Sequence, residues 1–387
     1  MSISELRQSN ELVNLFCTLA EIPSPSLQEE KVIEWICNYC QENKLIHETD
    51  DYKNIYIKIP ATDRTKEPVL LSAHMDVIGD DSPIVAQLDG DLIKANDRTL
   101  GADDKAGIAN ALYFAKELNK RTDLAHGGLE ILFTRDEESG MTGIKHADFK
   151  KINSKYVLVL DSDSLGQCLV AGASYVMVDL KVSAPKGGHS GNDIGDTSRE
   201  NAAKLIADII SDMPQGVFYS ENNQVVTSCN LGGICAGNVE VTNVINTDAH
   251  ATYSIRSSRK DKEEELIQTM QNIVDNFNKE HQGKATATIV FTEKMPMFEK
   301  NADEYLPILF EAVARKVGLE PEISTFHAGA ETHIYANQTN AKGEKFSPYL
   351  LGLATVCNMH SAREYVDYKT MIKGQELLQA LFEAYNK

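Results

Sequence analysis

The chain has 387 residues, and its 38 Lys and Arg against 57 Asp and Glu give a formal net charge of −19 at pH 7. This acidic balance argues against nucleic acid and anionic membrane surfaces as partners, because both are bound through basic patches. The hydrophobic content of 42% is enough for the packed cores of two or three domains.

The sequence also carries no sign of export or membrane insertion. The first residues lack a basic segment followed by an apolar one, and no apolar run reaches the roughly 18 residues of a membrane span. The seven cysteines are an odd number without a secreted-type framework. We therefore expect a cytoplasmic protein with no membrane partner.

The predicted elements alternate between helices and short apolar strands over much of the chain. Helices are predicted over 4–21, 28–43 and 106–119, and strands over 68–73, 129–134, 156–160 and 349–357. Strands that are apolar almost throughout, and that alternate with helices, are typical of a sheet covered on both faces. The fold class predicted for this part is α/β, with a mixed, mostly parallel sheet sandwiched by helices.

Residues 175–294 have a different pattern. The run 176–182 alternates apolar and polar residues, as a strand with one exposed face should. Counted from this run onward, the order of elements is β-α-β-β-α-β, which predicts a smaller α+β two-layer domain of the ferredoxin-like type. We therefore predict a discontinuous larger domain, 1–174 and 295–387, interrupted by an inserted domain, 175–294.

Histidines and carboxylates follow the predicted apolar strands. In parallel sheets, ligands bind outside the carboxyl ends of the strands, so these side chains should meet at one edge. A turn bracketed by glycines opens the helix at 106 and adds a further aspartate. The residues concerned are His74, Asp76, Asp103, Asp136, Glu137, Glu138, Asp161 and His360.

Imidazole and carboxylate together suit zinc, and also cobalt or manganese. Two histidines and three carboxylates exceed the needs of one four-coordinate ion. They suit two ions about 3.5–4 Å apart that share one carboxylate. Asp76, two residues after His74, is expected to reach back to its free ring nitrogen. Glu137 and Glu138 are adjacent and point apart, so one can bind metal while the other faces the attacking water.

Five segments in this order resemble the metal motifs of the M20 dizinc peptidases. Within that family the chain is similar to peptidase T, with features of the aminoacyl-histidine dipeptidases. The segments are His74-Met75-Asp76, Gly101-Ala102-Asp103-Asp104-Lys105-Ala106-Gly107, Asp136-Glu137-Glu138-Ser139-Gly140, Asp161 and Met359-His360-Ser361-Ala362-Arg363-Glu364. Ile22-Pro23-Ser24-Pro25-Ser26 is similar to the N-terminal signature of the family.

The resemblance implies two Zn²⁺ per subunit, with Co²⁺ or Mn²⁺ as alternatives. It places His74 and Asp161 on one ion, Glu138 and His360 on the other, and Asp103 between them. Glu137 would be the general base that serves a zinc-bound hydroxide, and Asp76 would orient His74. The implied activity is that of a dizinc aminopeptidase or dipeptidase that cleaves short peptides from the amino end.

The resemblance also implies roles for the inserted domain. It would be a lid and dimerisation domain, and the partner would be a second copy of the chain in a homodimer. His189 would stabilise the oxyanion, and Arg256 would hold the terminal carboxylate of the substrate. Asn243 and Glu331 are candidates for contact with the substrate, and a structural role for Glu331 is an equal alternative.

Two other functions stay open at this stage. A related amidohydrolase acting on N-acylated amino acids would have the same metal site. A non-catalytic binding protein on this fold is the third hypothesis, although every ligand and the base are present in the sequence.

Overall fold

The structure is a computed structural model that describes all 387 residues. The α-helices are α1 (Ile3–Ser9), α2 (Glu11–Ala20), α3 (Glu30–Glu42), α4 (Ala102–Leu118), α5 (Thr142–Lys145), α6 (Ala202–Asp212), α7 (Lys260–Glu280), α8 (Tyr305–Lys316), α9 (Thr332–Tyr335) and α10 (Tyr368–Tyr385). The strands are β1 (Ile46–Thr49), β2 (Ile55–Ile59), β3 (Val69–His74), β4 (Gln87–Asp89), β5 (Leu92–Lys94), β6 (Leu129–Thr134), β7 (Tyr156–Val159), β8 (Gln167–Gly172), β9 (Tyr175–Ser183), β10 (Gly188–His189), β11 (Gly216–Glu221), β12 (Gln224–Ala236), β13 (Val244–Ile245), β14 (Asp248–Ser257), β15 (Thr286–Met295), β16 (Glu322–Phe326), β17 (Ser347–Leu351), β18 (Thr355–Cys357) and β19 (Tyr365–Asp367).

The chain forms two compact units. The first comprises Met1–Val170, Lys300–Ser324 and Ala330–Lys387, and the second comprises Ala171–Glu299 and Thr325–Gly329. The boundaries lie a few residues outside the predicted 175 and 294, because Gly172 and Phe298 pair with each other through two backbone hydrogen bonds of 2.8 and 3.0 Å. The short segment 325–329 joins the second unit through the bond from the Ala173 amide to the Phe326 carbonyl, 3.0 Å long.

The first unit is built on an eight-stranded sheet with the order β1-β2-β6-β3-β7-β17-β8-β16. Its centre is parallel, because β6, β3, β7 and β17 pair in parallel, whereas β1, β2 and β8 pair antiparallel with their neighbours. One hydrophobic cluster joins this sheet to α2, α4 and α10. The predicted mixed sheet sandwiched by helices is confirmed. No helix has both the length and the apolar composition that a membrane crossing requires.

The predicted helix over 4–21 is in fact two helices that meet at Asn10. Asn10 has extended backbone angles, φ −137° and ψ 113°, and its side-chain oxygen accepts the Val13 amide. Asn10 therefore ends α1 and caps α2, which is the position that asparagine favours over a helix interior.

The apolar run 349–357 was predicted as one strand, and the structure divides it. Residues up to Leu351 belong to β17 of the large sheet, whereas β18 belongs to a separate four-stranded sheet with the order β18-β19-β5-β4. The break lies at Gly352, where a Cβ atom would sit 1.7 Å from the Ser164 carbonyl oxygen. Only glycine allows this close approach of the two backbones.

The second unit holds a five-stranded antiparallel sheet with the order β11-β12-β14-β9-β15. Burial alternates along β9 and β14, so one face of the sheet is covered. The covering residues come from α6 and α7, which share a hydrophobic cluster with that face. Strands β9, β12, β14 and β15 follow the ferredoxin-like order, and β11 adds an edge strand.

Candidate metal centre

Each of the five proposed metal ligands lies at the end of a structural element of the first unit. His74 is the last residue of β3, and Glu138 and Asp161 follow β6 and β7. These three strands are parallel neighbours, so their carboxyl ends lie side by side. Asp103 lies in the first turn of α4. His360 was predicted to follow the late strand of the large sheet. It follows β18 of the small sheet instead.

The five side chains converge through short contacts. His74 Nε2 lies 3.1 Å from Asp103 Oδ1 and 3.6 Å from Asp161 Oδ1. His360 Nε2 lies 3.1 Å from Asp103 Oδ2 and 2.9 Å from Glu138 Oε1. Each histidine thus faces two carboxylates. Asp103 is common to both pairs and turns a different oxygen toward each histidine.

The donor set suits divalent cations. The ligand atoms of His74, Asp103 and Glu138 all lie within 4.8 Å of one another. Glu138 Oε1 is buried and has no hydrogen-bond partner, although His360 Nε2 is 2.9 Å away. Two metal-ligand atoms this close without a hydrogen bond between them are expected when both are directed at a shared cation position. Imidazole nitrogen with carboxylate oxygen is the donor chemistry of Zn²⁺, Co²⁺ and Mn²⁺ sites.

Crowding of buried carboxylates shapes the electrostatics of the centre. Burial and the Asp103 charge raise the pKa of Asp161 to about 7. Burial also raises the pKa of Glu138 and, more strongly, that of Glu137. Burial alone would lower the pKa of His74, but hydrogen bonds to Asp103 and Asp161 outweigh it and raise that pKa. So much negative charge out of water favours the binding of cations here.

Asp76 contacts His74, as predicted, and it also holds the two glutamates. The His74 Nδ1–H group donates to the Asp76 backbone carbonyl at 2.9 Å, and the Asp76 carboxylate lies at ion-pair distance, 3.4 Å, from that nitrogen. The carboxylate also accepts the backbone amides of Glu137 and Glu138 at 2.9 and 3.1 Å. Asp76 therefore contacts one proposed ligand and fixes the backbone of both glutamates.

The N-terminal signature segment is packed against Asp76. Ser26 donates its hydroxyl to Asp76 Oδ2 at 2.7 Å, and Ser24 donates to the Met75 carbonyl at 2.8 Å. The ammonium group of Lys105, which follows the Asp103-Asp104 pair, donates to the carbonyls of Leu19 and Ile22. Burial lowers the pKa of Lys105 to about 7. Neither Ser26 nor Lys105 was singled out from the sequence, although both lie in the segments that carry the resemblance.

Close steric contacts explain why glycines stand on both sides of Asp103. Gly101 has φ +76°, and a Cβ atom there would lie 2.8 Å from a methyl carbon of Val77. Asp104 Oδ1 accepts the Gly107 amide at 3.0 Å and so caps the regular part of α4. A Cβ atom on Gly107 would lie 2.3 Å from that same oxygen. The paired aspartates are thus divided, since Asp103 faces the histidines and Asp104 caps the helix.

Glu331 lies behind the centre and is only 1% exposed. The Ser72 hydroxyl donates to Glu331 Oε2 at 3.2 Å, and the Tyr335 hydroxyl is 3.0 Å from the Ser72 oxygen. Burial raises the pKa of Glu331 to about 7. Such a buried carboxyl group is placed to support the strand that ends at His74, rather than to meet substrate from solvent.

His189 and Asn243 lie together in the second unit. Strands β10 and β13 pair so that His189 is opposite Val244, and the Ser190 amide donates to the Asn243 carbonyl at 3.0 Å. His189 is exposed, and its Nδ1 accepts the Gly191 amide at 3.0 Å. This bond fixes the tautomer in which Nε2 carries the proton.

Arg256 lies on β14 of the same unit. Its guanidinium is 4.3 Å from the centre of the Tyr175 ring, and burial lowers its pKa. Ser228, which is opposite Arg256 on β12, is 3.2 Å from His327 Nε2. The guanidinium therefore stacks on an aromatic ring.

Residues 70–384 match the sequence model of peptidase family M20/M25/M40. The cytosol non-specific dipeptidase of Escherichia coli (strain K12) is 28% identical over 341 residues, which are 79% of this chain and 67% of that protein. The aminopeptidase PepT from Bacillus cereus ATCC 10987 has a TM-score of 0.86 at 24% identity, covering 97% of this chain and 98% of that one. The aminoacylhistidine dipeptidase from Vibrio alginolyticus has a TM-score of 0.74 at 22% identity, covering 96% of both chains.

Proposed function

Because the chain belongs to peptidase family M20/M25/M40, we propose that its centre binds two divalent metal ions and hydrolyses short peptides from the amino end. The family match confirms the predicted M20 resemblance and the predicted class of activity, a metal-dependent exopeptidase. The dipeptidase activity in the name of the Escherichia coli relative supports short peptides as substrates. We propose Zn²⁺ as the metal, with Co²⁺ and Mn²⁺ as alternatives that suit the same donors.

One observation carries the proposal of a paired site. The two oxygens of Asp103 lie 3.1 Å from the Nε2 atoms of two different histidines. A carboxylate arranged in this way supports a bridge between one ion on His74 and Asp161 and another on Glu138 and His360. When bound, the two ions would polarise the scissile carbonyl and lower the pKa of a water molecule.

Glu137 is the residue that we propose as general base. Its backbone amide is held by Asp76 Oδ1 at 2.9 Å, next to Glu138, which faces His360. With Glu138 as the metal ligand, the Glu137 carboxylate would take a proton from the attacking water and pass it to the leaving amine. Asp76 keeps the two glutamates in this relation through its bonds to both amides.

The second unit would contribute contacts to substrate. The tautomer of His189 leaves an exposed Nε2–H that is able to donate a hydrogen bond to the developing oxyanion. Arg256 would hold the terminal carboxylate through its planar fork. We propose that Asn243, beside His189, also contacts substrate. We propose that Glu331, behind the centre, supports the strand that ends at His74. Residues 175–294 would form a lid and dimerisation domain, and the resemblance to M20 peptidases is the support for a homodimer.

The test is a screen of free and N-blocked di- and tripeptides with Zn²⁺, Co²⁺ and Mn²⁺ supplied in turn. Cleavage of peptides with a free amino end is expected. Cleavage of N-blocked substrates alone would favour the amidohydrolase hypothesis, and no cleavage with any metal would contradict an enzyme. Glu137→Gln separates the base from the ligands, because it should keep both ions and lose about 10²–10⁴-fold in kcat. Loss of metal from this variant would contradict the assignment of the base.

A further inference from the structure

A glutamate outside the ligand set connects the two loops that hold Asp103 and His360. The carboxylate of Glu364 accepts the backbone amides of Gly101 at 2.9 Å, Ala102 at 2.8 Å and Asp103 at 3.3 Å. Glu364 is only 1% exposed, so these bonds are made out of water. Gly101 has no side chain with which to cap these amides.

These bonds act on the ligand turn and not on the regular helix. Asp103 has φ −83° and ψ 105°, which is not helical, and the helix proper is capped by Asp104 through the Gly107 amide. Glu364 therefore holds the short segment that carries the Asp103 backbone. A glutamate is suited to this task because both carboxylate oxygens only accept hydrogen bonds, and all three groups that face it are donors.

The other end of Glu364 is fixed to the His360 loop. The Ser361 hydroxyl donates to the Asn358 carbonyl at 2.7 Å, and the Glu364 amide donates to the Ser361 carbonyl at 3.1 Å. Tyr365 then enters β19, where it pairs with Cys357 of β18, the strand that precedes the loop. The backbone from 357 to 365 is thus closed into one turn around His360.

We propose that Glu364 is a positioning residue that sets the distance between Asp103 and His360, and with it the affinity for the ion that these two residues share. This inference rests on the proposed two-metal site and adds a residue that binds neither metal nor substrate. The contact between His360 Nε2 and Asp103 Oδ2, 3.1 Å, is the geometry that Glu364 maintains. The ion on His74 and Asp161 shares Asp103 but not the His360 loop, so it should be affected less.

The variant Glu364→Gln keeps the shape of the side chain and replaces one acceptor by an NH2 group, which must face a backbone amide. Loss of a group that holds a metal ligand in place typically weakens metal binding about 10–100-fold. We expect E364Q to bind one of its two ions that much more weakly, and the other with a smaller loss, because the second ion shares Asp103 but not His360. Excess metal should restore most of kcat, because the ligands themselves remain.

Asp367→Asn is the matched control. Asp367 caps α10 by accepting the amides of Lys369 and Thr370 at 2.9 and 3.4 Å, so the same exchange of a carboxylate for an amide is made near Glu364 without touching the ligand turn, and the asparagine oxygen can still cap the helix. Glu364→Asp is the second variant, because it keeps the charge while shortening the side chain.

Binding of Co²⁺ to each purified protein is measured by equilibrium dialysis and by the visible ligand-field bands, with the melting temperature recorded beside it. Weaker binding in E364Q and E364D, with a larger loss for one ion than for the other and wild-type binding in D367N, supports the inference. It is overturned if E364Q binds both ions as the wild type does, or loses both equally, or if D367N weakens binding as much, which would make the lost negative charge the cause. A wild-type protein that binds two ions and cleaves peptides keeps the proposed function intact in either case. A wild type that binds fewer than two ions overturns both.

Discussion

The Asp76 carboxylate offers a direct test of how the two glutamates are held. It is fully buried, and it accepts three hydrogen bonds, from the Glu137 amide, the Glu138 amide and the Ser26 hydroxyl. In Asp76→Asn one oxygen becomes an NH2 group that must face an amide donor. A buried hydrogen bond to a charged group contributes about 1.5–3 kcal/mol, so the free energy of unfolding should fall by about that amount.

The effect on catalysis should be similar in size to the effect on stability. A displacement of the general base by about 1 Å costs on the order of 100-fold in rate, which corresponds to about 2.7 kcal/mol. We therefore expect kcat of D76N to fall about 100-fold on a free dipeptide. Ser26→Ala is the control, because it removes the hydroxyl contact of 2.7 Å and leaves both amide contacts, so its kcat should fall less than about 10-fold. Wild-type kcat in D76N, or equal losses in the two variants, would refute the reasoning.

Three further changes test separate parts of the structure. Burial raises the pKa of Glu331 to about 7, so the native state holds a proton that the unfolded chain releases above about pH 4.3, and the stability of the metal-free protein should fall by up to about 3 kcal/mol between pH 4.3 and 7. Glu331→Gln should flatten this slope in urea unfolding, and an unchanged slope would contradict the assignment. Gly101→Ala should lower the free energy of unfolding by about 2 kcal/mol or more, measured by thermal unfolding. Gly90→Ala is the control, because Gly90 has φ +63° and no atom within 4 Å, so this variant carries the backbone strain alone. Equal losses in the two variants would argue against the Val77 contact. Arg256→Lys should raise KM about 10-fold with little change in kcat, because it keeps the charge and loses the planar fork, and an unchanged KM would remove Arg256 from the substrate site.

Much of the fold could be predicted because local pattern and tertiary structure agree. The strand over 129–134 has the predicted bounds, since every residue of β6 is buried, two glycines precede it and Arg135 follows it. The prediction of one strand over 349–357 was wrong, because apolar content does not reveal where two backbones meet. The signal was Gly352, which has to pass the Ser164 carbonyl.

The candidate site shows where sequence reasoning ends. The placement of histidines and carboxylates after parallel strands follows from topology, and His74, Glu138 and Asp161 obey it. The hydrogen bonds that Asp76 accepts from the Glu137 and Glu138 amides could not be predicted. They depend on the loops beyond the strand ends, where the two-residue period of a strand no longer applies. Glu364 was quoted within a motif but given no role, because its partners are 261 to 263 residues away in the sequence.

The most direct test of the paired centre is the metal content of the wild type and of Asp103→Ala, measured after dialysis against Zn²⁺. The two oxygens of Asp103 each lie 3.1 Å from a different histidine, so one substitution should disturb both ions. We predict two Zn²⁺ per wild-type chain and loss of both from the variant under the same conditions. A variant that still holds two ions, or a wild type that holds only one, would contradict a centre bridged by Asp103.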